Sequence, residues 1–205
     1  MHTIPKLIQA YKDYRESDYP NHARLYRALD EGQHPEVMMI SCADSRINPF
    51  EIFHAEPGDL FLVRNVANLV PAFDDETPDY SVSSAVEFAV TALKVKHIVI
   101  LGHCGCGGVK ASLSAAENKP VGTCIAPWVS RLDKTRDEVL AGHPDDPQRA
   151  LELAGIAMST DNLLTYPFVR TAVEAGDLIL HGAWFDIGDG AVHWRDKSTG
   201  EFVKI

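Results

Sequence analysis

The chain has 205 residues, of which 45% are hydrophobic and 23% are charged, and its formal net charge is −10. This length and composition are typical of a globular protein with a single sizeable core, so we treat residues 1–205 as one domain. The acidic balance argues against a nucleic-acid partner, which needs clustered Lys and Arg, and no apolar run is long enough to span a membrane.

The first residues, Met1 to Lys6, lack the basic segment and the apolar segment that together make a signal peptide. We therefore expect a cytoplasmic protein. The chain has four cysteines, at positions 42, 104, 106 and 124. In a reducing compartment these residues are better suited to metal binding than to disulfide bonds.

Residues 1–31 are predicted to form a helical arm. Apolar side chains recur along one helical face, at Ile4, Leu7, Ile8, Tyr11 and Tyr14. The Asp18-Tyr19-Pro20 segment then predicts a break before a second helix. Because the arm precedes the first core strand, it can pack on a neighbouring subunit or on its own domain, and the pattern alone leaves both arrangements open.

The rest of the chain alternates between predicted strands and helices. Apolar, β-branched runs bounded by small and turn-forming residues predict strands at 37–42, 60–65, 97–102 and 178–183, with a weaker fifth at 191–195. Helical spacing predicts helices at 80–94, from about 108, and at 128–140, 147–164 and 168–175. The alternation predicts an α/β fold with a mostly parallel central sheet of four to five strands, flanked by helices.

Two short segments carry candidate metal ligands at the ends of predicted strands. Cys42 ends the first strand, and His103 and Cys106 follow the third in a glycine-rich turn. In an open α/β sheet, ligands bind beyond the carboxyl ends of the strands, so both segments are expected to face one place. Two thiolates and one imidazole make a three-ligand zinc set with a free fourth position, as in catalytic sites. Taken singly, each cysteine could instead be a buried packing residue.

Three motifs together resemble the signature set of the β-class carbonic anhydrases. They are Cys42-Ala43-Asp44-Ser45-Arg46, Arg64-Asn65-Val66-Ala67-Asn68 and Gly102-His103-x-x-Cys106-Gly107-Gly108. The resemblance runs in order from about Leu25 to the C-terminus. It implies reversible hydration of carbon dioxide to bicarbonate by zinc-bound hydroxide, at one zinc ion per chain held by Cys42, His103 and Cys106.

The resemblance implies that Asp44 and Arg46 form the catalytic pair. The Asp44 carboxylate can accept the hydrogen of bound hydroxide and orient it toward carbon dioxide, while Arg46 holds the carboxylate in a charge-assisted fork. Without the neighbouring thiol, such a pair would be read as a structural bridge. Because two thiolates formally cancel the charge of Zn²⁺, we expect a weaker Lewis acid than a three-histidine zinc site. Activity should therefore need mildly alkaline pH or help from neighbouring residues.

Further positions match the substrate pocket of the plant-like branch. Gln33 lies nine residues before Cys42, where that branch has a glutamine that hydrogen-bonds substrate. Met39 replaces the tryptophan of the other branch, which forms part of an inhibitory bicarbonate pocket. The family lines its carbon dioxide pocket at the positions of Phe61, Val66 and Phe88, although plant enzymes often have tyrosine at the last. Gly107 lacks a Cβ, so its backbone can approach substrate closely.

The resemblance also implies self-association, as a homodimer or an assembly of dimers, because the family lines its site with residues from two subunits. The alternative enzyme is a hydrolase of a carbon dioxide analogue, such as carbonyl sulfide or carbon disulfide, on the same scaffold. A thiol redox protein using Cys104 and Cys106 would lack the usual Cys-x-x-Cys turn. A purely structural zinc module would need a fourth ligand, and Cys124 lies far from any motif.

Overall fold

A central sheet organises the chain. The computed structural model describes residues 3–74 and 80–205, and these residues form a six-stranded sheet. The strands are β1 Val37–Cys42, β2 Leu60–Asn65, β3 His97–His103, β4 Ile179–Asp186, β5 Ala191–Arg195 and β6 Phe202–Lys204. Their order across the sheet is β2-β1-β3-β4-β5-β6, with β1 to β4 parallel and β5 and β6 antiparallel to their neighbours.

Helices precede, connect and cover these strands. They are α1 Ile4–Asp13, α2 Tyr19–Leu29, α3 Pro49–Ile52, α4 Tyr80–Glu87, α5 Gly107–Ala116, α6 Ile125–Val129, α7 Asp133–Ala141, α8 Pro147–Leu163 and α9 Pro167–Glu174. π-helical turns follow α1 and α4, at Tyr14–Asp18 and Phe88–Leu93. The predicted α/β fold with a mostly parallel sheet is confirmed.

The sheet has one strand more than the four to five predicted. The additional strand, β6, contains three residues and pairs with β5 at the sheet edge. A segment this short cannot display the alternation of apolar and polar residues by which strands are recognised. The acidic, proline-containing segments 71–80 and 141–148 are predicted from the sequence to be loops. The first includes residues 75–79, which lie outside the described residues. In the second, residues 142–146 connect α7 to α8.

Both faces of the central strands are buried, as expected for parallel strands. On one face Met38, Ile40, Ile98 and Ile100 form a core with side chains from the covering helices, including Val86 and Ile156. On the other face a smaller cluster contains Met39, Val99, Leu101 and Ala183. This continuous burial explains why β1 and β3 are uninterrupted apolar runs in the sequence.

Helix α8 approaches the sheet closely because two neighbouring strands carry glycine beneath it. A Cβ at Gly102 in β3 would lie 2.6 Å from Cδ1 of Ile156, and one at Gly182 in β4 would lie 2.9 Å from Cγ2 of the same residue. Ile156 is fully buried in this gap. The two glycines therefore fix the height of α8 above the strand that ends at His103.

The arm differs from its prediction at the expected break. The Asp18-Tyr19-Pro20 segment does not interrupt the helix, because a π-helical turn joins α1 to α2. Pro20, which has no backbone N–H, lies in the first turn of α2, directly after the π-helical turn. Between residues 3 and 34 no side chain is buried. The apolar face predicted for the arm is therefore exposed in the single chain.

Among the described residues, no helix is both long enough and apolar enough to cross a membrane.

The packing of Ile156 yields a stability prediction. Gly102→Ala should destabilise the protein by about 1–3 kcal/mol, because the added methyl group overpacks a closed core. Ile156→Val removes the clashing Cδ1 atom, so the double variant should lose less stability than the sum of the two single variants. Urea unfolding measures all three. Gly107→Ala is the control, since a Cβ there meets nothing within 4 Å. If the stability losses of Gly102→Ala and Ile156→Val simply add in the double variant, Ile156 does not clash with the added methyl group.

Candidate metal centre

Parallel pairing brings the two predicted ligand motifs together. β1 and β3 pair with Ser41 opposite Leu101, so Cys42 and His103 end neighbouring strands at the same edge. The chain then turns through Gly105, whose φ of +64° favours glycine, and places Cys106 back beside them. Cys42, His103 and Cys106 are all buried, and their ligand atoms lie within 4.8 Å of one another.

The distances within this cluster fit a zinc ion. The two Sγ atoms are 3.8 Å apart. Tetrahedral zinc with Zn–S bonds of about 2.3 Å requires an S···S separation of roughly 3.8 Å. His103 Nδ1 is 2.9 Å from the carbonyl oxygen of Cys104 and donates to it, which leaves a lone pair on Nε2. That buried Nε2 atom has no hydrogen-bond partner among the described residues, as expected of an atom that binds a metal.

The two thiols titrate as a pair. The hydrogen bond between them lowers the pKa of Cys42 far below its usual value, although burial opposes the shift. The same hydrogen bond, together with burial, raises the pKa of Cys106. The metal-free pair therefore holds one thiolate and one thiol at neutral pH, and a metal ion would displace the remaining proton.

Asp44 and Arg46 form the predicted fork beside the cluster. Arg46 Nε lies 2.9 Å from Asp44 Oδ1 and Nη2 lies 2.7 Å from Oδ2. These hydrogen bonds hold the pKa of the Asp44 carboxyl well below its usual range. Arg46 Nη2 also donates to the carbonyl of Gly105 at 3.0 Å, which ties the first motif to the second. Asp44 Oδ2 is 3.7 Å from Nε2 of His103, so the carboxylate borders the candidate metal position.

A small cavity opens onto this edge of the sheet. Its volume is about 370 Å³, and it is lined by Cys42, Ala43, Asp44, Val66, Gly107, Gly108 and Ile125. The structure thus brings Val66 and Gly107, two of the five predicted substrate-binding residues, to the candidate metal centre. Gly108 permits close packing here, because a Cβ at this position would lie 2.6 Å from Cγ1 of Val66.

The other three predicted substrate residues lie elsewhere in the single chain. Gln33 is exposed in the segment before β1. Phe61 is near the start of β2 and packs on Phe88, with ring centroids 5.8 Å apart. Phe88 is 47% exposed. Among the described residues, these three therefore lie outside the cavity that contains Cys42 and Asp44.

Several residues at this site were not singled out from the sequence. Arg64 donates to the carbonyl of Cys42 at 3.0 Å and to that of Asp44 at 2.7 Å, which fixes the loop after β1. Trp128 Nε1 donates to the carbonyl of Val66 at 2.8 Å, just before Ala67, which has a φ of +64°. Only Arg64 had a sequence signal, its place in the second motif. The hydrogen-bond acceptor of Trp128 is a backbone carbonyl 62 residues away in the sequence, so no local pattern reveals this contact.

Known proteins resemble this chain over nearly its whole length. The model of the carbonic anhydrase family matches residues 37–192. A carbonic anhydrase of Synechococcus elongatus is 33% identical over 204 residues, with 98% of this chain and 74% of the relative covered. The solved β-carbonic anhydrase CcaA superposes with a TM-score of 0.89 at 32% identity, covering 98% of this chain and 99% of that chain. A structure from a report on two tetrameric β-carbonic anhydrases of Sordaria macrospora gives 0.81 at 29% identity, covering 92% and 94%.

The paired thiols predict a titration of the metal-free protein. At pH 7 it should show the ultraviolet absorbance of one thiolate per chain, lost as the pH falls well below 7, because the pKa of Cys42 is lowered. Cys42→Ser should abolish the signal. Cys124→Ser removes an exposed cysteine and should leave it in place. An absorbance that develops only near pH 8.5, the ordinary range of a thiol, would contradict the proposed pairing.

Proposed function

The chain belongs to the β-class carbonic anhydrases, and from that premise we propose that it hydrates carbon dioxide reversibly to bicarbonate and a proton, with one zinc ion per chain. The observation that carries the proposal is the buried Cys42, His103 and Cys106 cluster beside the Asp44 carboxylate, with Cys42 and Asp44 lining an open cavity. Three ligands leave a fourth coordination position free for the reaction.

Zinc would be held by Sγ of Cys42, Nε2 of His103 and Sγ of Cys106. When bound, it lowers the pKa of a coordinated water and so supplies a nucleophile near neutral pH. The hydrogen bond from His103 Nδ1 to the Cys104 carbonyl fixes the tautomer and the ring orientation that direct Nε2 to the metal. Burial of all three ligands excludes competing water from their side of the site.

Asp44 would accept a hydrogen bond from the nucleophilic water and so orient that water toward carbon dioxide. The carboxylate suits this role because Arg46 keeps it ionised and occupies the other lone pairs of both oxygens. Its Oδ2 lies 3.7 Å from His103 Nε2, so the carboxylate borders the residues that would hold the metal. Arg46 in turn donates to the Gly105 carbonyl, which restrains the guanidinium that orients the carboxylate.

Carbon dioxide, which is apolar, would be held by the aliphatic wall of the cavity, formed by Val66 and Ile125. The backbone of Gly107 faces the same space and can approach substrate closely. We assign Gln33, Phe61 and Phe88 to the corresponding pocket of a second subunit, because they lie outside the cavity in their own chain. This assignment follows from the resemblance to enzymes whose sites are shared between subunits.

Self-association through the N-terminal arm is part of the proposal. Ile4, Leu7, Ile8 and Tyr11 are 69%, 52%, 53% and 61% exposed, and they share one face of α1. An apolar face of this kind favours burial against another surface. A second copy of the chain, related by a two-fold axis, would bury both arms in equivalent positions. The tetrameric state named for the Sordaria macrospora enzymes is consistent with an assembly of such dimers.

Replacement of Asp44 tests the catalytic role directly. Asp44→Asn should retain one zinc per chain but lose about 10²- to 10⁴-fold in the rate of carbon dioxide hydration, because an amide cannot replace an oriented carboxylate. Elemental analysis gives the zinc content, and stopped-flow measurement of proton release gives the rate. Arg46→Ala should reduce the rate similarly, since it releases the carboxylate.

Cys106→Ser is the matched control for the metal. It should lose most of the zinc, because only three protein ligands hold the ion. Full zinc retention in Cys106→Ser would contradict the ligand assignment, and hydration by Asp44→Asn within twofold of the parent would contradict the role of Asp44. If the parent protein hydrolyses carbonyl sulfide but does not hydrate carbon dioxide, it is instead a hydrolase of a carbon dioxide analogue.

The arm yields a prediction about assembly. Leu7→Asp should raise the dimer dissociation constant by about 10²- to 10⁴-fold, because each of two equivalent burials of leucine is worth about 1.5–3 kcal/mol. Sedimentation equilibrium measures the constant. Lys6→Asp introduces the same residue on the opposite side of α1 and should have a much smaller effect. A parent protein that is monomeric and fully active at assay concentrations would disprove the proposed interface.

A further inference from the structure

Two side chains of helix α8 hold both backbone polar groups of the ligand Cys106. Glu152 Oε1 accepts a hydrogen bond from the Cys106 N–H at 2.9 Å. Gln148 Nε2 donates to the Cys106 carbonyl at 3.0 Å and also to Glu152 Oε1 at 2.7 Å. Glu152 and Gln148 are one helical turn apart and therefore share a face of α8. The three residues form a closed ring of hydrogen bonds.

Glu152 is an unusual residue to find in this position. It is 3% exposed, and a carboxylate is costly to bury unless hydrogen bonds satisfy it. Its second oxygen, Oε2, accepts from Nε1 of Trp184 at 3.0 Å. The carboxylate thus receives three donors, from Cys106, Gln148 and Trp184. One of these donors belongs to a residue whose thiol is a proposed metal ligand.

Cys106 lies between two glycines, so its neighbours contribute no side-chain contacts that restrain its backbone. Gly105 and Gly107 flank it, and glycine loses more backbone freedom on ordering than any other residue. Around Gly107 there is open space, since a Cβ there would meet nothing within 4 Å. Neither neighbour can therefore fix the direction of the Cys106 side chain through packing.

Helix α8 is well placed to supply the missing rigidity. One turn beyond Glu152, Ile156 fills the gap above Gly102 and Gly182, in the strands β3 and β4. The strand β3 ends at His103, another proposed ligand. Through α8, the sheet that positions His103 therefore also determines where Cys106 lies.

We propose that Glu152 and Gln148 are positioning residues that hold Cys106 in its metal-binding geometry before the metal arrives. The inference rests on the proposed function, because it takes Cys106 as a zinc ligand. Pre-organisation reduces the conformational freedom that must be lost on binding, so it increases affinity and slows release of the ion. Glu152 and Gln148 touch the backbone of a ligand and neither the metal nor the substrate.

The alternative is that Glu152 merely stabilises the packing of α8 on β4 through Trp184. The two roles separate because the carboxylate uses different oxygens for them. Trp184→Phe removes the donor to Oε2 and leaves the Cys106 contact to Oε1 in place. Gln148→Ala removes the side-chain donor to the Cys106 carbonyl, which still accepts from the Lys110 N–H, and leaves Trp184 in place.

The experiment measures zinc affinity by competition with a chromophoric chelator, in the full chain and in four variants. Glu152→Ala should weaken zinc binding by about 10- to 100-fold, the usual effect of removing a residue that orients a ligand. Gln148→Ala should weaken it in the same direction. Glu152→Gln should be affected less than Glu152→Ala, because the amide oxygen can still accept the Cys106 N–H. Trp184→Phe should lower the urea midpoint of the metal-free protein but change zinc affinity less than threefold.

Cobalt substitution supplies a spectroscopic measurement that does not depend on activity. Visible absorption of bound Co²⁺ reports coordination geometry, and its bands should shift or broaden in Glu152→Ala and Gln148→Ala but not in Trp184→Phe. If Glu152→Ala does not fold, Glu152→Gln and Gln148→Ala decide the question by the same two measurements. If the parent binds zinc tightly and the Glu152 and Gln148 variants keep the parental affinity and spectra, this inference is wrong but the proposed function is unaffected. A parent chain that binds no zinc would overturn the proposed function as well.

Discussion

The parallel pairing of β1 with β3 is the constraint on which the rest of the site depends. It aligns the carboxyl ends of two buried strands, so that Cys42 and His103 meet at one edge although they are far apart in sequence. A slip of the register by one residue would turn every side chain to the opposite face and separate the pair. The buried apolar faces of both strands oppose such a slip, so the core that stabilises the sheet also sets the geometry of the metal site.

The loop after β3 is held by a side-chain donor on one side and a side-chain acceptor on the other. Arg46 links the first motif to the second by contacting both Asp44 and the Gly105 carbonyl. On the inner side Glu152 accepts the N–H of Cys106. A cationic donor thus holds the loop from the solvent side, and an anionic acceptor holds it from the core. The turn 103–106 is therefore restrained from both directions, which offsets the conformational freedom of Gly105.

The sequence predicted those features that depend on local pattern or on a compact motif. The uninterrupted apolar runs predicted β1 and β3, and the motif residues predicted the Cys42, His103 and Cys106 cluster, which the structure brings together. Glu152 escaped prediction because its partner is a backbone N–H 46 residues away, and on α8 it resembles any helical glutamate. The π-helical turn before Pro20 was missed for a related reason, since proline is compatible both with a break and with the first turn of a helix.

Two apolar features of the single chain are left at least partly exposed, the Phe61–Phe88 pair and the face of α1, and the proposed dimer would account for both. Phe61 lies four residues before the end of β2, about 13 Å along the strand from the edge where the cavity opens. Phe61 therefore cannot line the cavity of its own chain, and Phe88, the ring that packs against it, remains exposed. The apolar face of α1 is likewise left without cover. A two-fold axis duplicates every contact, so one proposed association could bury both arms and deliver Phe61 and Phe88 to the neighbouring cavity. On that reading, the arm and the substrate pocket depend on the same assembly step.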